Sequence, residues 1–96
     1  MSKMKDPFID KLCAAVLSLQ TEEECYQFFE DIATVSELKA WAQRLYVAKL
    51  LNEKATYEQI AEETGASTAT ISRVKRCLFY GSDGYKLVLD RMKDHE

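Results

Sequence analysis

A chain of 96 residues, 47% hydrophobic and 30% charged, has room for one domain and no second core, and a single proline with three glycines favours helices joined by brief turns. No apolar run approaches the roughly 18 residues of a membrane span, and the first residues lack a signal peptide's hydrophobic stretch, so the expectation is a cytoplasmic protein with no membrane partner. The net charge of −3 counts at first against a nucleic-acid partner, but it is unevenly spread: residues 1–35 hold three bases against seven acids, and residues 36–80 hold seven against five.

Met1 to Lys5 reads as a frayed basic start. Asp6 before Pro7 is a helix-opening pair, because proline at the first helical position gives up only an N–H that would have no partner there. Phe8, Ile9, Leu12, Cys13, Val16 and Leu17 follow at helical spacing and predict a first helix to about Leu19. Thr21 with Glu24 forms a capping-box pattern. The acids at 22–24 suit the positive end of a second helix, which carries Cys25, Phe28, Phe29 and Ile32 and should end near Ala33. Thr34 with Glu37 repeats the box. From Val35 to about Glu53 the longest helix is expected, with Leu38, Trp41, Ala42, Leu45 and Ala48 on one face and Tyr46, Val47, Leu50 and Leu51 widening it.

The stretch Thr56 to Arg76, TYEQIAEETGASTATISRVKR, is the most specific in the chain. Thr56 and Gln59 predict another capping box and a short helix running to Thr64. Gly65 can take a positive φ without penalty and so stop that helix sharply. Ser67 restarts the chain as an N-cap for a second helix with Ile71, Val74 and Leu78 on its inner face. Ala61, four residues before the glycine, suits a close helix crossing. This is the helix-turn-helix pattern. Its outward face would present Ser67, Thr68, Ala69, Ser72, Arg73 and Arg76, small hydrogen-bonding groups followed by cations, and Ala66 to Tyr80 contains Arg73, Lys75 and Arg76 with no acid. Small residues let a helix approach base edges, and cations neutralise phosphates. The candidate DNA contacts are therefore Thr56, Tyr57, Ser67, Thr68, Ala69, Thr70, Ser72, Arg73, Lys75 and Arg76, with double-stranded DNA as the partner. An ordinary helical corner is the plainer reading of the same glycine, but it leaves the caps and the acid-free second helix unexplained.

After Tyr80, Gly81 terminates, Ser82 or Asp83 restarts, and a last helix carries Tyr85, Val88, Leu89 and Met92. Cys13, Cys25 and Cys77 have no CxxC or histidine pairing and are expected as buried thiols, neither metal ligands nor disulfides. No metal, cofactor or catalytic constellation is expected: His95 is the sole histidine, and no carboxylate pair, nucleophile with base, or phosphate-cradling glycine loop occurs. Apolar faces on the first, second, third and last helices are too broad for so small a monomer to cover, which predicts a homodimer with Phe28, Phe29, Ile32, Leu38, Trp41 and Leu45 in its core.

The order of elements, with ATVSELKAWAQRLYVAKLL in the third helix and YEQIAEETGASTATISRVKRCL after it, resembles the Trp repressor superfamily and its YerC/YecD branch over nearly the whole chain. The resemblance implies an all-α, six-helix, intertwined homodimer that binds operator DNA. Residues 1–55 and 82–96 would form the dimer core and residues 56–80 the DNA-reading head of one domain, 1–96. It also implies a candidate effector pocket. Arg44 and Arg73 align with the arginines that flank the corepressor's indole, and Thr34 and Thr70 with threonines beside it. Val74 replaces the glycine against which that ligand packs, Cys77 replaces a serine, and Asp31 replaces an apolar wall supplied by the partner chain. These departures predict no tryptophan response. Arg44 would pair with the partner's Asp31, or a smaller or anionic effector would sit between the two arginines.

The leading expectation is a sequence-specific DNA-binding transcriptional regulator, a repressor by the resemblance. The alternative is a helical protein-interaction module or antitoxin-like subunit whose helix-turn-helix docks on a protein, which the acidic total favours. An enzyme is the weakest of the three.

Overall fold

The computed structural model describes residues 5–93. Of the frayed start expected at Met1 to Lys5, the first four residues lie outside the described residues, as does His95. Six helices follow one another with no strand among the described residues: α1 (Pro7–Leu17), α2 (Glu22–Ile32), α3 (Val35–Asn52), α4 (Tyr57–Thr64), α5 (Thr68–Tyr80) and α6 (Gly84–Met92). The fold is all-α, as expected. The chain divides into two compact units, Met1–Leu38 and Lys39–Glu96, with the boundary inside α3.

In the first unit local chemistry starts each helix. Asp6 Oδ1 accepts the N–H groups of Phe8 and Ile9 at 2.7 and 3.3 Å ahead of Pro7. Thr21 Oγ1 accepts the Glu24 N–H at 3.1 Å, but the returning Glu24 carboxylate passes the cap and takes the Gln20 N–H at 2.9 Å. Thr34 and Glu37 close a full box, Glu37 N–H to Thr34 Oγ1 at 3.1 Å and Thr34 N–H to Glu37 Oε1 at 2.8 Å. The Thr34 backbone N–H, and second the Thr34 side chain beside the carboxylate, favour its ionised form and hold the Glu37 pKa below its ordinary value. Neither α1 nor α2 contains a buried residue, and Phe8 is 83% exposed. The apolar stripes on these helices are present as expected, with Phe8, Leu17 and Ile32 exposed and Cys25, Phe28 and Phe29 half-buried.

The core lies in the second unit. Val47, Ala48, Leu50 and Leu51 of α3 pack with Ile60, Ala66, Ile71, Val74, Leu78 and Leu89, and Leu45, Ala55, Tyr57 and Tyr85 close its edge. Thus α5 buries the three residues its spacing named, and α3 and α6 complete the floor beneath α4 and α5. Ala61 departs from expectation: it is exposed, because Ile60 takes the inward phase of α4, and the small buried residue is Ala66 in the turn. The cysteines depart too. All three are free thiols, Cys13 and Cys77 exposed and Cys25 half-buried, since α1 lacks cover and Cys77 borders an open groove.

The end of α3 carries a feature that its residue types do not announce. Lys54 takes a left-handed φ of 65°, while its N–H bonds the Leu51 carbonyl and the Ala55 N–H bonds the Leu50 carbonyl, both at 3.0 Å. This is a Schellman termination with lysine in the seat that glycine usually fills. Asp83, at φ 64°, begins α6 in the same backbone region without a side-chain cap bond.

Candidate nucleic-acid interface

A complete capping box opens α4, with the Gln59 N–H on Thr56 Oγ1 at 3.2 Å and the Thr56 N–H on Gln59 Oε1 at 2.8 Å. The helix stops at Gly65, whose φ of 72° needs glycine for its backbone alone, since an added Cβ would meet no atom within 4 Å. Thr64 ties the turn together. Its hydroxyl donates to the Ile60 carbonyl at 2.7 Å and accepts the Ala66 N–H at 3.1 Å. From α3, Gln43 Nε2 donates to the Thr64 carbonyl at 3.0 Å, satisfying an acceptor that the end of α4 would otherwise leave open. Sequence reasoning missed Gln43. The available signal was a polar residue one turn and two turns ahead of the buried Val47 and Leu50, on the side of α3 that faces the core.

Ser67 caps α5 by accepting the Thr70 N–H at 3.1 Å, and its hydroxyl donates to Thr70 Oγ1 at 3.1 Å. The hydroxyls of Ser67 and Thr70 are therefore bonded to each other, and Thr70 is half-buried. Exposed are Thr56 at the start of α4, Ser67, Thr68, Ala69, Arg73 and Arg76 along the outer side of α5, and Lys75 on its flank, while Ser72 is half-buried. Arg73 and Arg76 have no acidic partner within 4.0 Å among the described residues. Tyr57 differs from a free contact residue: it is half-buried against the core, and Lys75 Nζ lies 5.6 Å from the centre of its ring.

The candidate effector residues are less gathered. Arg44 is half-buried and Arg73 exposed, both in the second unit. Thr34 belongs to the first unit, where its hydroxyl serves the Glu37 cap. Val74 is 2% exposed within the core, so its bulk is directed inward and the steric objection to a flat ligand at that position does not hold. Cys77 lines an apolar groove of about 650 Å³ with Leu45, Tyr85 and Val88. Among the residues expected in a dimer core, Phe28, Phe29, Leu38 and Leu45 are half-buried in the single chain, and Ile32 and Trp41 are 51% and 45% exposed. The described residues contain no cluster of histidine, cysteine or acidic groups placed to hold a metal ion and no helix long and apolar enough to cross a membrane.

The model of the Trp repressor protein family matches residues 8–93. This chain belongs to the Trp repressor family. It is 53% identical over 96 residues to the uncharacterized protein YerC of Bacillus subtilis (strain 168), covering 100% of this chain and 92% of that one. Two crystal structures share the fold. A Trp repressor candidate from Staphylococcus aureus superposes with a TM-score of 0.90 at 52% identity, covering 95% of this chain and 91% of that one. A TrpR-like protein from Eubacterium eligens ATCC 27750 gives a TM-score of 0.91 at 52% identity, covering 95% and 94%. Family membership fits the all-α order of elements and the place of the helix-turn-helix within it, and it makes a DNA-binding regulator the coarse expectation for this chain.

Proposed function

We propose that this chain is a sequence-specific DNA-binding transcriptional regulator, a repressor by family likeness, that acts as a homodimer and does not respond to tryptophan. The observation that carries this reading is the outer face of α5. Thr68 and Ala69 are exposed at its start, Arg73, Lys75 and Arg76 follow, and no acid occurs between Ala66 and Tyr80. Small polar groups at the tip would meet base edges, and the cations would set the register on phosphates. Residues 56–80 form the reading head in this proposal, and residues 1–55 with 82–96 supply the dimer core, for which the exposed apolar residues of α1, α2 and the first half of α3 are the support.

Binding measured over a salt series tests the reading. The parent protein should shift double-stranded DNA at low salt, with tighter binding to selected palindromic fragments whose half-sites lie about 34 Å apart. Arg76→Ala should weaken binding to every sequence and flatten the salt dependence by about one unit. Absence of binding at low salt would refute the reading. Because Val74 faces inward, the expectation of no tryptophan response rests on Cys77 and Asp31, and calorimetry showing micromolar tryptophan affinity together with a DNA-silent ligand-free protein would overturn it.

A further inference from the structure

Tyr57 and Lys75 look equivalent in sequence, as two candidate DNA contacts, but the structure gives them different jobs. Lys75 sits one residue beyond the buried Val74, on the flank of α5. Tyr57 is the first residue of α4, held half-buried against the core, and its ring lies under the lysine with Nζ 5.6 Å from the ring centre. A lysine side chain ordinarily spreads its ammonium over many rotamers, and holding one arrangement for a phosphate costs conformational entropy. A ring fixed by the core reduces that spread and attracts the cation through its negative face without neutralising it. The lysine keeps its full charge for another partner. An acid at position 57 would have cancelled that charge, and a small apolar residue would have left it mobile.

We propose that Tyr57 is a positioning residue: its ring holds the Lys75 ammonium beside α5 so that Lys75 meets a backbone phosphate with the duplex in register. The proposal rests on the DNA-binding reading above. It assigns Tyr57 a role through Lys75 and not through base contact. It also ties the start of α4 to the flank of α5, so the two helices of the motif share one phosphate contact.

The test compares Tyr57→Leu, which keeps apolar bulk but removes the ring, with Tyr57→Phe, which keeps the ring, each in the parent and in a Lys75→Met background. Tyr57→Leu should weaken DNA binding about two- to fivefold, the equilibrium factor of an exposed cation–ring contact. Tyr57→Phe should rescue that loss. In the Lys75→Met background, where the salt slope is already lower by about one unit, the two tyrosine variants should bind alike. A readout without DNA accompanies these: the Lys75 Cε protons should show an upfield ring-current shift that survives Tyr57→Phe and disappears in Tyr57→Leu. Equal loss from Tyr57→Leu with and without Lys75 would assign the tyrosine to the fold alone and overturn the proposal, as would parent-like binding by Tyr57→Leu. A parent protein that binds no DNA would overturn the functional reading and the phosphate role with it, and the proton shift distinguishes that failure from loss of the ring contact itself.

Discussion

The two units of this chain are built from the same local vocabulary and differ in what happens next. In residues 1–38, Asp6, Thr21 and Thr34 cap their helices, yet α1 and α2 hold no fully buried residue. In residues 39–96, Thr56 and Ser67 cap theirs, and ten apolar residues close into a core beneath the helix pair. Charge divides in the same place: the first unit holds three bases against eight acids, the second ten against eight. Capping selects where a helix begins, but burial supplies most of what keeps it folded. The second unit carries its own reason to fold. The exposed apolar residues of the first unit are the reason a second copy enters the proposed function.

The largest expected effect would break this contrast if it failed. Leu78, 1% exposed, sits at the centre of the second unit's core, and Leu78→Ala should cost about 2–5 kcal/mol of a total that is typically about 5–15. That loss should be the same at any protein concentration at which the dimer is saturated. Leu12 and Ile32 are exposed in the single chain, so Leu12→Ala and Ile32→Ala should destabilise only by weakening association. Their effect should grow on dilution, with the sedimenting mass falling toward 11.0 kDa. Denaturant melts at two well-separated concentrations, read beside sedimentation, check this. A cost for Ile32→Ala that ignores concentration would mean that the residue is covered within one chain and that the two units are not so different.

A finer comparison lies between two left-handed positions of the second unit. Gly65 and Lys54 have nearly the same φ, 72° and 65°, but only one is glycine. Since nothing lies within 4 Å of a Cβ at Gly65, Gly65→Ala should lose about 1–2 kcal/mol from the backbone alone. Lys54→Gly should move stability the other way, by up to about 1 kcal/mol, because it relieves the same strain at an exposed position while loosening the unfolded chain. Opposite signs in thermal melts are the expected outcome. If Lys54→Gly destabilised, the lysine would be contributing a contact that outweighs its backbone.

That pair also shows what could be read in advance. Glycine at 65 announces a left-handed turn, and the capping boxes of Thr34 with Glu37 and Thr56 with Gln59 formed as their spacing implied, because each depends on residues three apart. Lysine at 54 announces nothing, since its left-handed conformation is imposed by helix termination and packing of Ala55. The box at Thr21 formed by half: the carboxylate of Glu24 is long enough to reach either N–H, and residue types do not choose between them. Periodicity found Ile71, Val74 and Leu78, but it mistook Ala61 for the small buried residue that is Ala66. Likewise the outer face of α5 was legible from residue type, whereas the seating of Lys75 over Tyr57 and the bond from Gln43 to Thr64 join distant positions and need the fold.

The smallest expected effect returns to the first unit, where capping is most of the local order. Glu37 is fully exposed, and its carboxylate gains from the Thr34 N–H, and second from the Thr34 side chain, in an arrangement that exists only when α3 is folded. Its folded pKa therefore lies below the ordinary 4.5, so folding favours the deprotonated form. The sign follows: its contribution is fully present above the unfolded value and is lost as pH falls through the lower folded value. Glu37→Gln can still accept the Thr34 N–H but carries no charge, so it should be slightly less stable than the parent at neutral pH. As pH drops below 4.5 the parent's carboxylate gains its proton, and the two stabilities should converge. Parallel denaturant melts of parent and variant across that interval measure the gap. A gap that stays constant through the acid range would show that the amide's poorer fit, and not the charge on the carboxylate, sets the difference, and that ionisation of Glu37 contributes nothing to the start of α3.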